Sequence, residues 1–494
     1  MTEEWNSILL FVVFILQVAC AIHILLTKRG SAVSTALWIF MVIGIPVLGM
    51  ILYLFFGFNR LYTLGRAISR SKQDFIQEKY STAKGIKNYF AVIRKYTVRN
   101  DDNNQTFVTL LNNLLPGTQC LKSNKLQLLA DGLRAYPEME KAIRKAKYSI
   151  HLTSYIIMDD EVGEKLFALL EKKSYEGVKV RIIYDRLGSF YSYRGLMRYK
   201  YHNRKNDNFM IYSFSKFNIF TPWRVQLRNH RKLLVVDGEV AFTGGLNISA
   251  ENMRLKKVPK VKYIHDLHCR IEGSAVSRFQ YIFLRDWCFS ANEDISGVLD
   301  AKNFPIPKEN AENGYVRVVE SGAGQRDGGS AKVFFSAVSS AQKSLTIMTP
   351  YFTPDISFIR MLELAAARGV DVKVILPAHN DHIFMRYASS YLYESLLKQG
   401  VKIYEKQGIF SHVKAMLVDE KWVMMGSSNC DVRSFILNYE LDFIVENSPF
   451  IDDIVKQFNL ELKNSVKINL EDIQNKSVGR VLLENISHLF TPVL

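Results

Sequence analysis

The stretch NHRKLLVVDG, residues 229–238, reads as a buried strand with a charged lead-in. His230 and Lys232 stand two apart, so on an extended chain they share one face. Leu233 to Val236 is an apolar run that carries the strand through a core, and Asp237 closes it. Far downstream, SHVKAMLVDE at 411–420 repeats the arrangement with His412, Lys414 and Asp419. Both copies fit H-x-K-x-x-x-x-D. A glycine follows each histidine at fourteen residues, Gly244 and Gly426, and an asparagine at seventeen, Asn247 and Asn429. One such run is an ordinary surface histidine beside a solvated lysine. Two runs with the same offsets are a site.

The duplication extends outward. AIRKAKYSIHLTSY (142–155) followed by GVKVRIIYD (177–185) is matched by AVSSAQKSLTIMTPY (337–351) followed by GVDVKVILP (369–377). Each block reads as a helix, a strand ending at Tyr155 or Tyr351, a second helix, and a strand opened by Gly177 or Gly369. Helix-like and strand-like stretches in alternation predict an α/β fold with a helix-covered sheet. The predicted order is a membrane hairpin over 1–59, a juxtamembrane helix and linker over 60–120, and two α/β domains over 121–308 and 309–494.

The repeated residues define a chemistry. Two lysines and two asparagines hold phosphate oxygens and stabilise charge developing there. One imidazole attacks phosphorus, and the other protonates the leaving alcohol and deprotonates the incoming one. Histidine suits both roles because its ordinary pKa is near 6.5. No metal and no cofactor is required, and there is no carboxylate cluster to hold a metal. Asp237 and Asp419 are counted with the site, with bracing of the motif favoured over direct chemistry. Asp266 in YIHDLHCRIEG and Glu440 in RSFILNYELDF are the candidate acids for orienting the imidazoles through their far nitrogens.

Bulk properties narrow the partner. The 494 residues carry 64 Lys and Arg against 48 Asp and Glu, a net charge of +16, which favours an anionic partner. The five cysteines form no C-x-x-C pair, so neither a disulfide framework nor a zinc site is indicated. Residues 5–27 and 30–59 contain no Asp, Glu, Lys or Arg, and each is long enough to cross a bilayer. The acidic start MTEEWN and the second apolar stretch argue against a cleaved signal peptide. Lys28 and Arg29 in the loop, against Arg60, Arg66, Arg70 and Lys72 beyond it, put the bulk of the chain on the cytoplasmic side.

With these motifs the chain resembles the phospholipase D superfamily and, within it, the bacterial cardiolipin synthases. LRNHRKLLVVDGEVAFTGGLNIS and SHVKAMLVDEKWVMMGSSNCDVRSFILNYE are similar to their two motifs. TPYFTPD and WIFMVIGIPVLGMILYLFFG are similar to their pre-motif strand and membrane hairpin. ESGAGQRDG departs from the Gly-Pro-Asp such enzymes commonly show after the serine. The resemblance implies a pseudo-symmetric pair of phospholipase D-like α/β sandwich domains behind a two-helix transmembrane hairpin. It implies transfer of a phosphatidyl group between two phosphatidylglycerols through a phosphohistidine, giving cardiolipin and glycerol. By the same resemblance His230 is the nucleophile and His412 the acid/base. The alternatives are a hydrolytic phospholipase D and a membrane-bound phosphodiesterase or nuclease. No nucleic-acid module is present, so nucleic acid is not the expected partner. Basic stretches at Tyr193–Lys205 and Arg254–Lys262 suit anionic headgroups or a solvated charged face alike, and FNIFTPW (Phe217–Trp223) reads as core in preference to an interfacial anchor.

Overall fold

The structure, a computed structural model, describes residues 2–27, 32–56, 83–98, 106–214, 227–253, 262–291, 293, 298–309, 312, 314–323 and 329–491. The segment Phe217–Trp223 and nearly all of the basic stretch Arg254–Lys262 lie outside the described residues, as do 324–328 of the departing loop.

The strands of the first copy are β1 (Cys120–Ala130), β2 (Ser149–Ser154), β3 (Lys179–Tyr184), β4 (Phe209–Ser213), β5 (Leu233–Val236), β6 (Val240–Gly244), β7 (Ile264–His265) and β8 (Leu267–Gly273). Those of the second are β9 (Gly314–Ser321), β10 (Ser344–Met348), β11 (Phe352–Thr353), β12 (Asp371–Pro377), β13 (Lys402–Lys406), β14 (Phe410–Ser411), β15 (Ala415–Val418), β16 (Trp422–Gly426), β17 (Cys430–Asp431), β18 (Glu440–Glu446) and β19 (Ser465–Lys467).

Fifteen of these strands form one sheet, in the order β19-β13-β12-β10-β15-β16-β18-β9-β1-β8-β6-β5-β2-β3-β4. Read outward from the β9–β1 junction, each half contributes the same seven positions, and β19 is an addition at one edge. The duplicated sequence thus builds a duplicated half-sheet. The junction is antiparallel, with a register shift between Leu121 and Asn124, and one core draws residues from both halves.

The repeats fold alike for local reasons. Asp160 accepts from the amides of Val162 and Gly163, both at 3.0 Å, and starts the helix Glu161–Tyr175. Asp355 does the same for Ile356–Ala367 through Ser357 and Phe358, at 2.7 and 3.1 Å. Both helices end on a left-handed glycine, Gly177 at φ 91° and Gly369 at φ 89°, which turns the chain into β3 and β12. Val180 and Ile182, and Val372 and Val374, are buried beneath those helices. On the other side of the sheet the helices Ala275–Ser290 and Phe450–Lys463 meet around a common core that includes Phe279, Phe443 and Phe458.

The stretch expected as a juxtamembrane helix and linker does more than connect. Residues 57–82 and 99–105 are not described, but the helix Lys84–Tyr96 puts Ile86 and Tyr89 into the first core. Leu111 of the helix Thr106–Leu114 enters the second core.

At the N-terminus one helix is long and apolar enough to cross a bilayer, over Ser7–Leu26. The second apolar stretch reads as a spanning helix that Pro46 and Gly49 kink or thin. It is broken at Ile45 into Ala32–Gly44 and Pro46–Phe56. Pro46 has no amide hydrogen to continue the ladder and its ring clashes with the preceding turn, so the break falls where the sequence carries it. The pieces pack on the first helix: Gln17 Nε2 donates to the Val42 carbonyl at 2.8 Å, and His23 Nδ1 lies 3.0 Å from the Tyr53 hydroxyl.

Candidate active site

His230 stands just before β5 and His412 just before β15, at equivalent positions of the two half-sheets. Asn229 pairs in parallel with Tyr439, and the His230 amide donates to the Tyr439 carbonyl at 2.9 Å. In the mirror arrangement β14 pairs with β7, and the His412 amide donates to the His265 carbonyl at 2.8 Å. Each histidine is therefore stitched by its backbone to the opposite half.

The side chains cross in the same way. His230 Nδ1 lies 2.9 Å from Glu440 Oε2, and His412 Nδ1 lies 2.7 Å from Asp266 Oδ2. Glu440 belongs to the second half and Asp266 to the first. Both carboxylates are fully buried. Glu440 also accepts from Ser427 Oγ at 2.5 Å, Ser434 Oγ at 3.0 Å and Asn438 Nδ2 at 3.2 Å. Asp266 needs the space that Gly245 leaves: a Cβ there would sit 2.1 Å from its Oδ1.

The Ser427 carbonyl oxygen lies 2.9 Å from His230 Nδ1. A carbonyl only accepts, so Nδ1 carries the proton and Nε2 holds the lone pair. Lys232 and Lys414 are both buried; each ammonium donates to the carbonyl of the histidine two residues before it. Lys414 Nζ also lies 3.8 Å from Asp266 Oδ2. Tyr155 packs its ring edge on His230 at 4.9 Å, with Lys232 5.3 Å over its ring, and Tyr351 approaches His412 at 6.2 Å.

Electrostatics follow from burial and crowding. Burial first, then Lys232, Lys414 and His412, hold His230 well below the usual imidazole pKa. Burial and then Lys414 lower His412. Burial and the neighbouring Lys414 bring Lys232 down to about 7. Burial lifts Glu440 to about 7. Burial also pushes Asp266 upward, but Lys414 and His412 outweigh it and leave this carboxyl below its ordinary value. Two neutral imidazoles thus sit among two crowded lysines, a combination that favours an arriving anion.

Asn247 and Asn429 sit at matching turns. Asn247 Oδ1 accepts weakly from the Ile156 amide at 3.3 Å, while Asn429 Oδ1 is buried with no hydrogen-bond partner. An orphaned buried amide oxygen is costly, and it leaves the Asn429 side chain uncommitted to the protein.

Asp237 and Asp419 are not in the site, contrary to their inclusion with the catalytic residues. The apolar run between Lys232 and Asp237 is β5 itself, so the aspartate emerges at the far end of that strand. Asp237 accepts from the amides of Lys147, Tyr148 and Ser149 at 2.8–2.9 Å. Asp419 accepts from those of Gln342, Lys343 and Ser344 at 2.7–3.2 Å. Both adopt left-handed backbone, φ 53° and 52°. They cap the entries to β2 and β10. Asp237→Ala is expected to cost about 1–2 kcal/mol of stability in a denaturant titration, with turnover per folded molecule unchanged. Loss of turnover without loss of stability would return Asp237 to the chemistry.

Sequence reasoning missed the supports. Arg231, between the two motif residues, points to the other face of the strand. It donates to the Glu440 carbonyl at 3.1 Å and pairs with Asp286 and Glu320. Ser427, Ser434 and Asn438 carry no repeat signal. Tyr155 and Tyr351 do, since they hold the same place in both copies.

Comparison with known proteins agrees with this architecture. Residues 139–287 and 334–462 match the family "Cardiolipin synthase, PLD-like domain", and residues 15–57 match "Phospholipase_D-nuclease N-terminal". The chain is 32% identical to cardiolipin synthase 1 of Bacillus anthracis over 481 residues, covering 95% of this chain and 91% of that one. It is 32% identical to a cardiolipin synthase of Clostridium perfringens over 475 residues, 94% and 95% of the two chains. In fold it is similar to the phosphatidylserine synthase of Haemophilus influenzae, with a TM-score of 0.57 at 14% identity over 78% of this chain and 97% of that one. The matched blocks hold both histidines, their lysines and the crossed carboxylates, and the chain belongs to the cardiolipin synthase family of phospholipase D-like proteins.

Proposed function

We propose that this chain is a phosphatidyltransferase that makes cardiolipin from two phosphatidylglycerols. The observation that carries the reading is the crossed pairing of each imidazole with a carboxylate of the opposite half, which turns two repeats into one reaction centre. His230 Nε2, with its lone pair fixed by the Ser427 contact, attacks phosphorus. Binding of the phosphate anion first protonates His412; the bond to the glycerol oxygen then breaks as His412 delivers that proton to it, leaving a phosphatidyl-histidine. The free hydroxyl of a second phosphatidylglycerol then gives its proton to His412, and its oxygen attacks phosphorus. The P–N bond breaks and His230 is restored. Lys232, Lys414, Asn247 and Asn429 hold the non-bridging oxygens. Asp266 and Glu440 keep the rings in place.

The apolar helix Ser7–Leu26 ties the chain to the membrane that holds its substrate. In our reading the kinked stretch 32–56 returns across the bilayer, and the site faces the cytoplasm. Purified full chain incubated with phosphatidylglycerol tests the activity. Cardiolipin with equimolar glycerol is expected; phosphatidic acid as the product would make the chain a hydrolase.

Binding carries a pH signature. With Lys232 at about 7 and His412 below its ordinary value, the unliganded site loses protons as pH rises through neutrality. A phosphate anion favours the protonated forms, so binding takes up protons and affinity falls above pH 7. Calorimetric titration with inorganic phosphate, in buffers of different ionisation heat, is expected to show proton uptake. An enthalpy that does not change with buffer would contradict it.

A further inference from the structure

The helix Val478–Leu489 lies beyond the residues matched by the family's domain. It is turned inside out. A helix on a globular protein buries its apolar stripe and wets its polar one. Here Glu484 and Ser487 are buried against the body, while Val478, Leu482 and Leu489 are 86%, 58% and 76% exposed. Ile486 joins them on the outer face. The buried side is polar. Glu484 pairs with Lys476 at 2.7 Å and accepts from Arg480 Nε at 3.1 Å. The His488 ring stacks on Tyr391 at 4.0 Å. The docking is therefore specific, and the apolar face is presented outward by it.

The neighbour that receives this helix is Ile383–Tyr391, whose first residues, Ile383 and Phe384, are also exposed. That helix starts at the site. Two residues before Ile383, Asp381 accepts from the Tyr351 hydroxyl at 2.9 Å, and Tyr351 is the ring beside His412. Exposed apolar side chains thus stand both on the C-terminal helix and at the start of the helix that receives it, next to the site. Isolated exposed leucines need no explanation, but a continuous stripe on one helix, extended by a second, marks a surface that is covered.

We propose that the covering is the lipid bilayer. This rests on the lipid reading above. The helix Val478–Leu489 and the start of Ile383–Tyr391 lie at the headgroup–acyl boundary and hold the mouth of the site there. Three observations select lipid over a protein partner. The chain already carries a helix long and apolar enough to cross a membrane, which would keep the rest of the chain near a bilayer. The helix that receives the stripe begins beside the site that a diacyl substrate must reach. Arg480 is partly exposed beside the stripe in a chain of net charge +16, which suits an anionic leaflet.

The test uses the full chain in vesicles of phosphatidylglycerol and phosphatidylethanolamine with radiolabelled acyl chains. Leu482 or Leu489 is replaced by the photocrosslinking residue p-benzoylphenylalanine. The control probe replaces Tyr175, which is 66% exposed at the C-terminal end of the helix Glu161–Tyr175 in the first half. Labelled lipid attached at 482 and 489, several-fold above 175, is the expected result. A crosslinked protein dimer in its place would make the stripe a contact between copies and overturn the proposal. Adducts no more abundant than at 175 would leave the stripe in water and overturn it equally. Cardiolipin formation is measured in the same vesicles. Lipid adducts at both positions with no cardiolipin would support the docking surface while removing the catalytic reading.

Discussion

His230→Ala is expected to cut cardiolipin formation by at least about 10⁴-fold, because no other group supplies the lone pair that attacks phosphorus. His412→Ala should lose a similar amount, since each half-reaction needs the proton it carries. The double variant should be little worse than either, as residues that act as a unit are not additive. Incubation with phosphatidylglycerol labelled in the phosphatidyl group separates the roles. The label is expected on protein that keeps His230 and never on His230→Ala. Labelled His230→Ala with unlabelled His412→Ala would exchange the two assignments. Both variants fully active would remove the site altogether.

The second large effect concerns the carboxylates. Glu440→Gln should slow formation of the labelled intermediate by roughly 10²-fold, with KM little changed. The amide has an N–H that competes for His230 Nδ1 and pulls the ring towards the tautomer without a lone pair on Nε2. Asp266→Asn should impair His412 to a similar degree, and it also removes the negative charge nearest Lys414. Single-turnover kinetics distinguish these losses from misfolding, because a merely structural defect lowers the active fraction without changing the rate constant of what remains. If Asp266→Asn slowed only attack by His230, the crossed assignment would be wrong.

Much of this was written in the chain. The paired motifs at His230 and His412, and the blocks ending at Tyr155 and Tyr351, foretold a duplicated half-sheet. The offsets to Asn247 and Asn429 placed them on matching turns. What the text could not convey was partnership across the duplication. Asp266 and Glu440 stand out as acids on strands that follow their motifs, but spacing carries no information about which imidazole each one meets. That depends on how β7 and β14, and Asn229 and Tyr439, align between halves. The aspartates of the motif were counted with the site although bracing was the favoured reading, and the bracing is what they do. The strand Leu233–Val236 separates Asp237 from Lys232 by its own length, so proximity in sequence became opposite ends of the strand in space. The C-terminal helix is a third case: its apolar periodicity is the same whether the stripe faces the core or the lipid.

The shared clasp also constrains how bulky molecules come and go. Many two-lobed enzymes admit substrate by swinging their lobes apart. Here each imidazole is gripped by the far lobe, through a main-chain bond and a carboxylate, and one sheet runs unbroken from lobe to lobe. A hinge would disarm both histidines at once. On the reading proposed above, traffic passes over a fixed threshold: the first lipid is expected to slide in sideways, glycerol to depart to water, and the four-tailed product to retreat along the path by which its precursors arrived.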